Sequence, residues 1–134
     1  GAPWVRPERF AARLNALNLP GTRFRPVHFE PTFHKHAHTG CGGVQVHITD
    51  RRTFRPVEVG VVLVQAFLRA APDRFAWREP PYEYEYLIQP IDILMGSSEL
   101  RERLGDDEDA REIAAGWATS VAEFDELRRP FLLY

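Results

Sequence analysis

A chain of 134 residues suits one domain with a core that needs no disulfide staples, and its single cysteine, Cys41, excludes an intramolecular disulfide. The formal net charge is −2 and the basic residues are scattered, which excludes the clustered Lys/Arg footprint of a nucleic-acid binder. No apolar run approaches the length of a membrane span, and the first residues lack a signal-peptide layout.

The opening Gly1-Ala2-Pro3-Trp4 has no initiating methionine, which suggests a chain cut from something longer or processed. A first helix is predicted over Arg6 to Asn18: Pro7 suits a first helical position, and Phe10, Leu14 and Leu17 share one face. Leu19-Pro20-Gly21 ends it. Arg23 to Phe29 reads as a strand in which Pro26 marks an edge or a bulge. A second strand runs from Val44 to Thr49, with Val44, Val46 and Ile48 alternating against Gln45, His47 and Thr49. If the valine and isoleucine face is core, Gln45 and His47 project together from the other. Gly42 and Gly43, just before that strand, permit a positive φ or a close backbone approach.

After a turn at Asp50-Arg51-Arg52, a helix over Pro56 to Ala70 carries an apolar stripe of Val57, Val61, Val64 and Leu68, widened by Val62 and Phe67, as the most buried helix should. Ala71-Pro72-Asp73 breaks it, and Phe75 to Trp77 reads as a short extended piece. Tyr82-Glu83-Tyr84-Glu85-Tyr86 alternates as a strand or extended arm does. Ile91 to Leu94 is short and apolar, Gly96-Ser97-Ser98 punctuates it, and Ser98 is placed to cap a brief helix through Leu104. Asp106 to Asp109 load the start of a last helix with negative charge, favourable against its dipole. That helix is expected to bury Ile113, Trp117, Val121 and Phe124, and the apolar end Pro130 to Tyr134 to dock. The sum is a small single α+β domain, two or three short strands packed with three main helices.

Between the first two strands, residues 27–50 hold all five histidines, the one lysine and the one cysteine. His34, His36, His38 and Cys41 are chemically suited to zinc, nickel or copper, and in an extended segment the three histidines would point the same way. Their spacing matches none of the usual structural zinc patterns, and the alternative is a polar loop at a binding surface. Cys41 beside a histidine could also be a nucleophile, against the plainer reading of a small buried residue next to a glycine turn. Glu83 and Glu85 invite a glycosidase reading. Two residues on one strand face point in parallel, however, and a catalytic pair must flank the scissile bond. Trp117 sits at core spacing, whereas Trp4 and Trp77 remain candidates for stacking on a sugar.

Taken together, several stretches carry a resemblance: Gly1-Ala-Pro-Trp4, Leu17-Asn-Leu-Pro-Gly21 into Arg23-Phe-Arg-Pro26, Pro31-Thr-Phe-His-Lys-His36, Cys41-Gly-Gly-Val-Gln-Val46 with His47, Thr49-Asp-Arg51, Phe54-Arg-Pro56, Ile91-Asp92 with Gly96-Ser97, and Arg129-Pro-Phe-Leu-Leu-Tyr134. In this order they span nearly the whole chain, which resembles the C-terminal domain of the NamZ-like exo-β-N-acetylmuramidases, bacterial glycoside hydrolases that remove N-acetylmuramic acid from the end of peptidoglycan fragments. Family members are longer, with a Rossmann-like N-terminal domain that carries the catalytic glutamate, and nothing here corresponds to that domain. The resemblance therefore implies a cleft-forming and interface domain, inactive alone, whose partners are the catalytic domain and a muramic-acid saccharide. No cofactor and no metal are expected, and peptidoglycan chemistry suggests a parent acting in cell-wall turnover outside the cytoplasm. The resemblance also implies that Pro31 to His47 helps close the saccharide cleft. Thr32, His34, Lys35, His36, Gln45 and His47 are the expected substrate-binding residues, Lys35 as partner of the lactyl carboxylate. His38-Thr39-Gly40 departs from the simpler turn expected there. A metal-binding or protein-interaction module built on the His34/His36/His38/Cys41 loop is the competing reading.

Overall fold

The computed structural model describes residues 1–133. Among them the order of elements is α1 (Pro7–Ala16), β1 (Thr22–Phe29), β2 (Cys41–Ile48), α2 (Pro56–Ala70), α3 (Pro90–Met95), α4 (Glu99–Gly105), α5 (Ala110–Ala115), α6 (Ala118–Arg128) and a closing 3-10 turn, Arg129–Phe131. This is an α+β fold made of two compact units, Gly1–Phe75 and Ala76–Tyr134.

The first unit is built on the β1–β2 hairpin, antiparallel from Thr22↔Ile48 to Phe29↔Cys41 without a slipped pair. Pro26 therefore marks an edge and not a bulge, since β1 has no second strand beside it. On that open edge the side chain of Asn15, from α1, closes the backbone of Phe24. Its amide donates to the Phe24 carbonyl at 2.8 Å, and its carbonyl accepts the Phe24 N–H at 2.9 Å. Phe24 is buried, as are Phe10, Ala11 and Leu14 of α1, so the helix covers this part of the sheet with the face its sequence period defines. Phe10 in turn meets Phe67 of α2, their ring centroids 4.6 Å apart.

The opposite edge of β2 takes the start of the chain. Ala2 N–H donates to Gly42 carbonyl at 2.9 Å, and Gly42 N–H donates back to Ala2 at 3.1 Å. Gly42 and Gly43 lie inside β2, and their conformation is not left-handed. Their role is close approach: a Cβ on Gly42 would strike the Val5 carbonyl and Pro7 Cδ, and one on Gly43 would meet Gly1 Cα at 2.8 Å.

Two apolar stripes differ from expectation here. Val46 and Ile48 are exposed, although Val46 stands directly opposite buried Phe24, so on this face the cover over β1 does not extend across to β2. In α2, Val57 is exposed and the buried residues are Val59, Val61, Val62 and Gln65, so the buried face is rotated from the Val57–Leu68 stripe.

In the second unit, Tyr82–Tyr86 is a tight turn and not a strand. Tyr82 and Glu85 exchange two backbone hydrogen bonds, at 2.9 and 3.0 Å, and Glu83 takes φ 54°. Ile91–Leu94 belongs to α3, whose Pro90 opens the helix and whose Gly96 ends it in a left-handed conformation. Buried Asp92 binds Arg101 of α4 through both carboxylate oxygens, at 2.7 to 3.1 Å. Ser98 precedes α4, but its side chain makes no capping bond. Asp109 does cap α5, accepting the Arg111 N–H at 2.9 Å.

The expected last helix is two helices. α5 ends at Ala115, and α6 starts after Gly116 and Trp117. Ile113 is fully buried and Trp117 half-buried, whereas Val121 and Phe124 are 63% and 62% exposed. The ending is also exposed at Phe131, Leu132 and Leu133, so it does not dock as its apolarity suggests; Tyr134 lies outside the described residues. No helix among the described residues is long and apolar enough to cross a membrane.

Candidate functional site

The histidine loop joins the two hairpin strands at the Phe29↔Cys41 end. Three backbone bonds brace it from within: His38 N–H to the Pro31 carbonyl at 2.8 Å, Thr39 to His36 at 3.1 Å and Ala37 to His34 at 3.2 Å. His34, His36 and His38 all adopt left-handed φ, 60°, 63° and 57°. This region is sterically costly for side chains with a Cβ, although histidine enters it more readily than most residues. The segment is therefore a folded loop and not the extended run in which the three imidazoles would align. Among the described residues, no three His, Cys, Asp or Glu side chains converge as metal ligands would.

Each loop residue has its own setting. His36 is half-buried, its ring edge-on to the Trp4 indole at 5.4 Å, so the segment crossing β2 at Ala2 also holds the loop. His34 is exposed and meets Phe33 edge-on at 5.0 Å. Thr32 and Lys35 are exposed, and Lys35 has no ion-pair partner among the described residues. Cys41 is buried, its thiol 3.4 Å from the Thr39 carbonyl. That is the packed thiol of the plainer reading. At the base of the loop a depression of about 520 Å³ opens beside Pro3, His28, Phe29, Glu30, Gly40 and Cys41.

On the strands, register and alternation put Arg23, Arg25, Gln45 and His47 on one face, with Phe24, Val44 and Val46 on the other. Arg25 donates to the Gln45 side-chain carbonyl across the pair. His28 is 3.1 Å from a Glu8 oxygen. Glu8 is held below its ordinary value first by hydrogen bonding to its own backbone amide and then by His28.

Likeness to known proteins adds to this geometry. The family model described as "Exo-beta-N-acetylmuramidase NamZ, C-terminal" matches residues 1–134. The chain belongs to this NamZ C-terminal family. It is 30% identical over 135 residues to the peptidoglycan β-N-acetylmuramidase NamZ of Bacillus subtilis, a match that takes in 100% of this chain and 30% of that protein. It also superposes on a crystal structure of a DUF1343 family protein from Bacteroides fragilis with TM-score 0.79 at 30% identity, over 98% of this chain and 33% of that one. The chain thus spans about a third of the length of these relatives.

In this NamZ C-terminal domain the six residues singled out by sequence fall into two groups. Thr32, His34, Lys35 and His36 share the loop, while Gln45 and His47 lie along β2. At about 3.4 Å per residue, His47 stands roughly 20 Å from Cys41 along the strand. The groups sit at different ends of the hairpin, and a single monosaccharide does not span that separation.

Sequence reasoning passed over Phe29 and Phe33, both exposed beside the loop. It also passed over Arg23 and Arg25, which complete the polar face around Gln45 and His47. The signal for the arginines was present, since on antiparallel strands the face that carries Gln45 and His47 must also receive alternate residues of β1.

Proposed function

We propose that this chain lines part of the saccharide cleft of an exo-β-N-acetylmuramidase that releases N-acetylmuramic acid from peptidoglycan fragments, docks on the catalytic domain of the same protein, and is inactive alone. The observation that carries this reading is the family match along residues 1–134 of a chain spanning about a third of its relatives. On this reading the parent works outside the cytoplasm, in cell-wall turnover. Thr32, His34, Lys35 and His36 hydrogen-bond one part of the sugar, with Lys35 facing the lactyl carboxylate, and Gln45 and His47 meet the saccharide farther along.

Two features support the division of labour. Glycoside hydrolysis generally needs two carboxyl groups on either side of the scissile bond. Glu83 and Glu85 instead sit in a tight turn, where Glu85 accepts the Leu87 and Ile88 amides and is held below its ordinary value by those bonds. A docking role is consistent with α6, which has no buried residue and exposes Val121, Phe124 and Leu127. Apolar surface of that kind usually marks an interface.

Titrating the ¹⁵N-labelled chain with N-acetylmuramic acid tests the cleft role. Amide shifts at residues 32–36 are expected, extending to residues 45–47 only with a longer muramic-acid-terminated saccharide, and shifts confined elsewhere, or none at millimolar sugar, refute it. For the enzyme as a whole, deleting the matching segment from full-length NamZ is expected to abolish turnover of a chromogenic muramic-acid glycoside. Undiminished turnover refutes the functional dependence.

A further inference from the structure

A second cleft lies in the first unit, beside α1, and the histidine-loop reading does not use it. It is a half-open cleft of about 250 Å³ lined by Trp4, Phe10, Ala70 and the exposed Arg6, Arg9 and Arg13. Its composition is unusual for a protein whose formal net charge is −2. Three arginines line the space, no acidic side chain does, and among the described residues none of the three makes an ion pair or hydrogen bond through its side chain.

The local sequence explains how they come together. Arg6 is the residue before the first turn, Arg9 is in that turn, and Arg13 follows Arg9 by four positions. Residues three and four apart are neighbours on a helix surface, so like charges there repel. Arg6 and Arg9 also sit at the positive end of the helix dipole, where a cation is disfavoured. Glu8, the acid of this first turn, is engaged with His28. The three side chains are exposed, so the repulsion is modest, and an anion held among them would relieve it.

We propose that this cleft is a binding site for a small oxyanion, a carboxylate or phosphate group carried on a compact molecule. Guanidinium groups match both geometrically, because their planar N–H pairs engage two oxygens at once. The cleft's volume is below the usual range for a drug-sized ligand, which suits a small acid or the charged end of a larger one. Phe10 is buried and Trp4 half-buried in the walls, giving the ligand an apolar side to lie against. The site goes beyond the proposed saccharide cleft, although Trp4 belongs to both neighbourhoods through His36.

The test is a titration of the ¹⁵N-labelled chain with sodium citrate and, separately, sodium phosphate, at ionic strength held constant with sodium chloride. The Trp4 indole N–H is a suitable reporter, since it is buried and has no hydrogen-bond partner. Saturable shifts at Trp4 and residues 6–13 are expected with at least one anion; citrate alone identifies a carboxylate site, and phosphate alone a phosphate site. The Arg9→Gln/Arg13→Gln variant should bind at least about tenfold more weakly, a loss of one decade in affinity. It should also be no less stable than the parent, because the substitution removes the repulsion. Arg51→Gln/Arg52→Gln, which removes the same charge from an exposed turn, should leave binding unchanged. Shifts no larger than those in chloride, or equal weakening in both double variants, overturn the proposal. The saccharide site is read at residues 32–35 and 45–47 and this site at residues 6–13, both sets clear of the Trp4–His36 contact, so failure at one is distinguishable from failure at the other.

Discussion

Replacing Gly42 with alanine probes how the loop is held. The added Cβ would run into the Val5 carbonyl and Pro7 Cδ, neither of which is the end of a flexible side chain. Either the opening segment stays and absorbs the overlap, or it lifts off β2. In the first case the cost is that of an overpacked site, about 1–3 kcal/mol. In the second the two Ala2–Gly42 backbone bonds are lost, each worth about 1 kcal/mol net, together with the burial of Ala2 and Val5. The two routes together bracket roughly 1–4 kcal/mol of destabilisation. Urea unfolding followed at the Trp4 indole resonance measures it within the first unit. Lifting off should also separate Trp4 from His36 and shift the amides around His36. Gly40→Ala is the internal control, because a Cβ there meets nothing within 4 Å. That change should stay within about 0.5 kcal/mol. A Gly42→Ala variant as stable as the Gly40→Ala control would refute the view that close approach at Gly42 anchors the segment.

Three other outcomes follow from the same physics. Gly60 lies inside α2 with open space where a Cβ would go, so Gly60→Ala should stabilise the chain by about 0.5–1 kcal/mol; a loss in urea unfolding would mean the position needs its glycine for another reason. Asp92→Ala should lower the melting temperature more than Glu99→Ala, since Asp92 is buried against Arg101 whereas Glu99 pairs with Arg103 in solvent; the reverse ranking refutes the weight given to the buried pair. Arg103 holds the Glu108 carboxyl below its ordinary 4.5 through hydrogen bonds and charge. A carboxyl lowered in the folded state stabilises fully above its unfolded value and loses that contribution as pH falls through the folded one. Glu108→Gln should therefore be less stable than the parent at pH 7, with a gap that narrows below pH 4.5, and a gap constant across that range would refute the assignment.

Much of the first unit was legible because its signals are local. Pro7 starts α1, Pro56 starts α2 with both of its bounds anticipated, and the alternation of β2 fixes which side Gln45 shares with His47. The histidine loop was legible as a site candidate by composition alone, since that required no geometry. Its conformation was not. Nothing in Pro31–Gly40 announces three left-handed histidines: histidine tolerates that conformation better than most residues, but it is the loop's own hydrogen bonds that hold it. The tyrosine-glutamate run failed for a related reason. Alternation suggests a strand only where a neighbour supplies a ladder, and at Tyr82–Tyr86 the backbone closes on itself. Ile91–Leu94 was too short for its period to be read, yet Pro90 and Gly96 were both visible as helix punctuation.

The last helix shows where sequence periodicity stops being informative. Ile113, Trp117, Val121 and Phe124 form one continuous apolar stripe at helical spacing, and the chain divides it at Gly116. On the near side Ile113 is fully buried; on the far side Val121 and Phe124 face solvent. A stripe records that a face is apolar, and the covering surface need not belong to the same stretch of chain. Val46 and Ile48 make the same point on β2, where Phe24 of β1 is covered but its cross-strand partner Val46, and Ile48 beyond it, stay open. A domain that docks on a larger partner would carry such faces as part of its normal sequence pattern, and the pattern alone does not tell them from internal core. On the proposed reading they are docking surface, and the polar face of Arg23, Arg25, Gln45 and His47 is turned to the sugar.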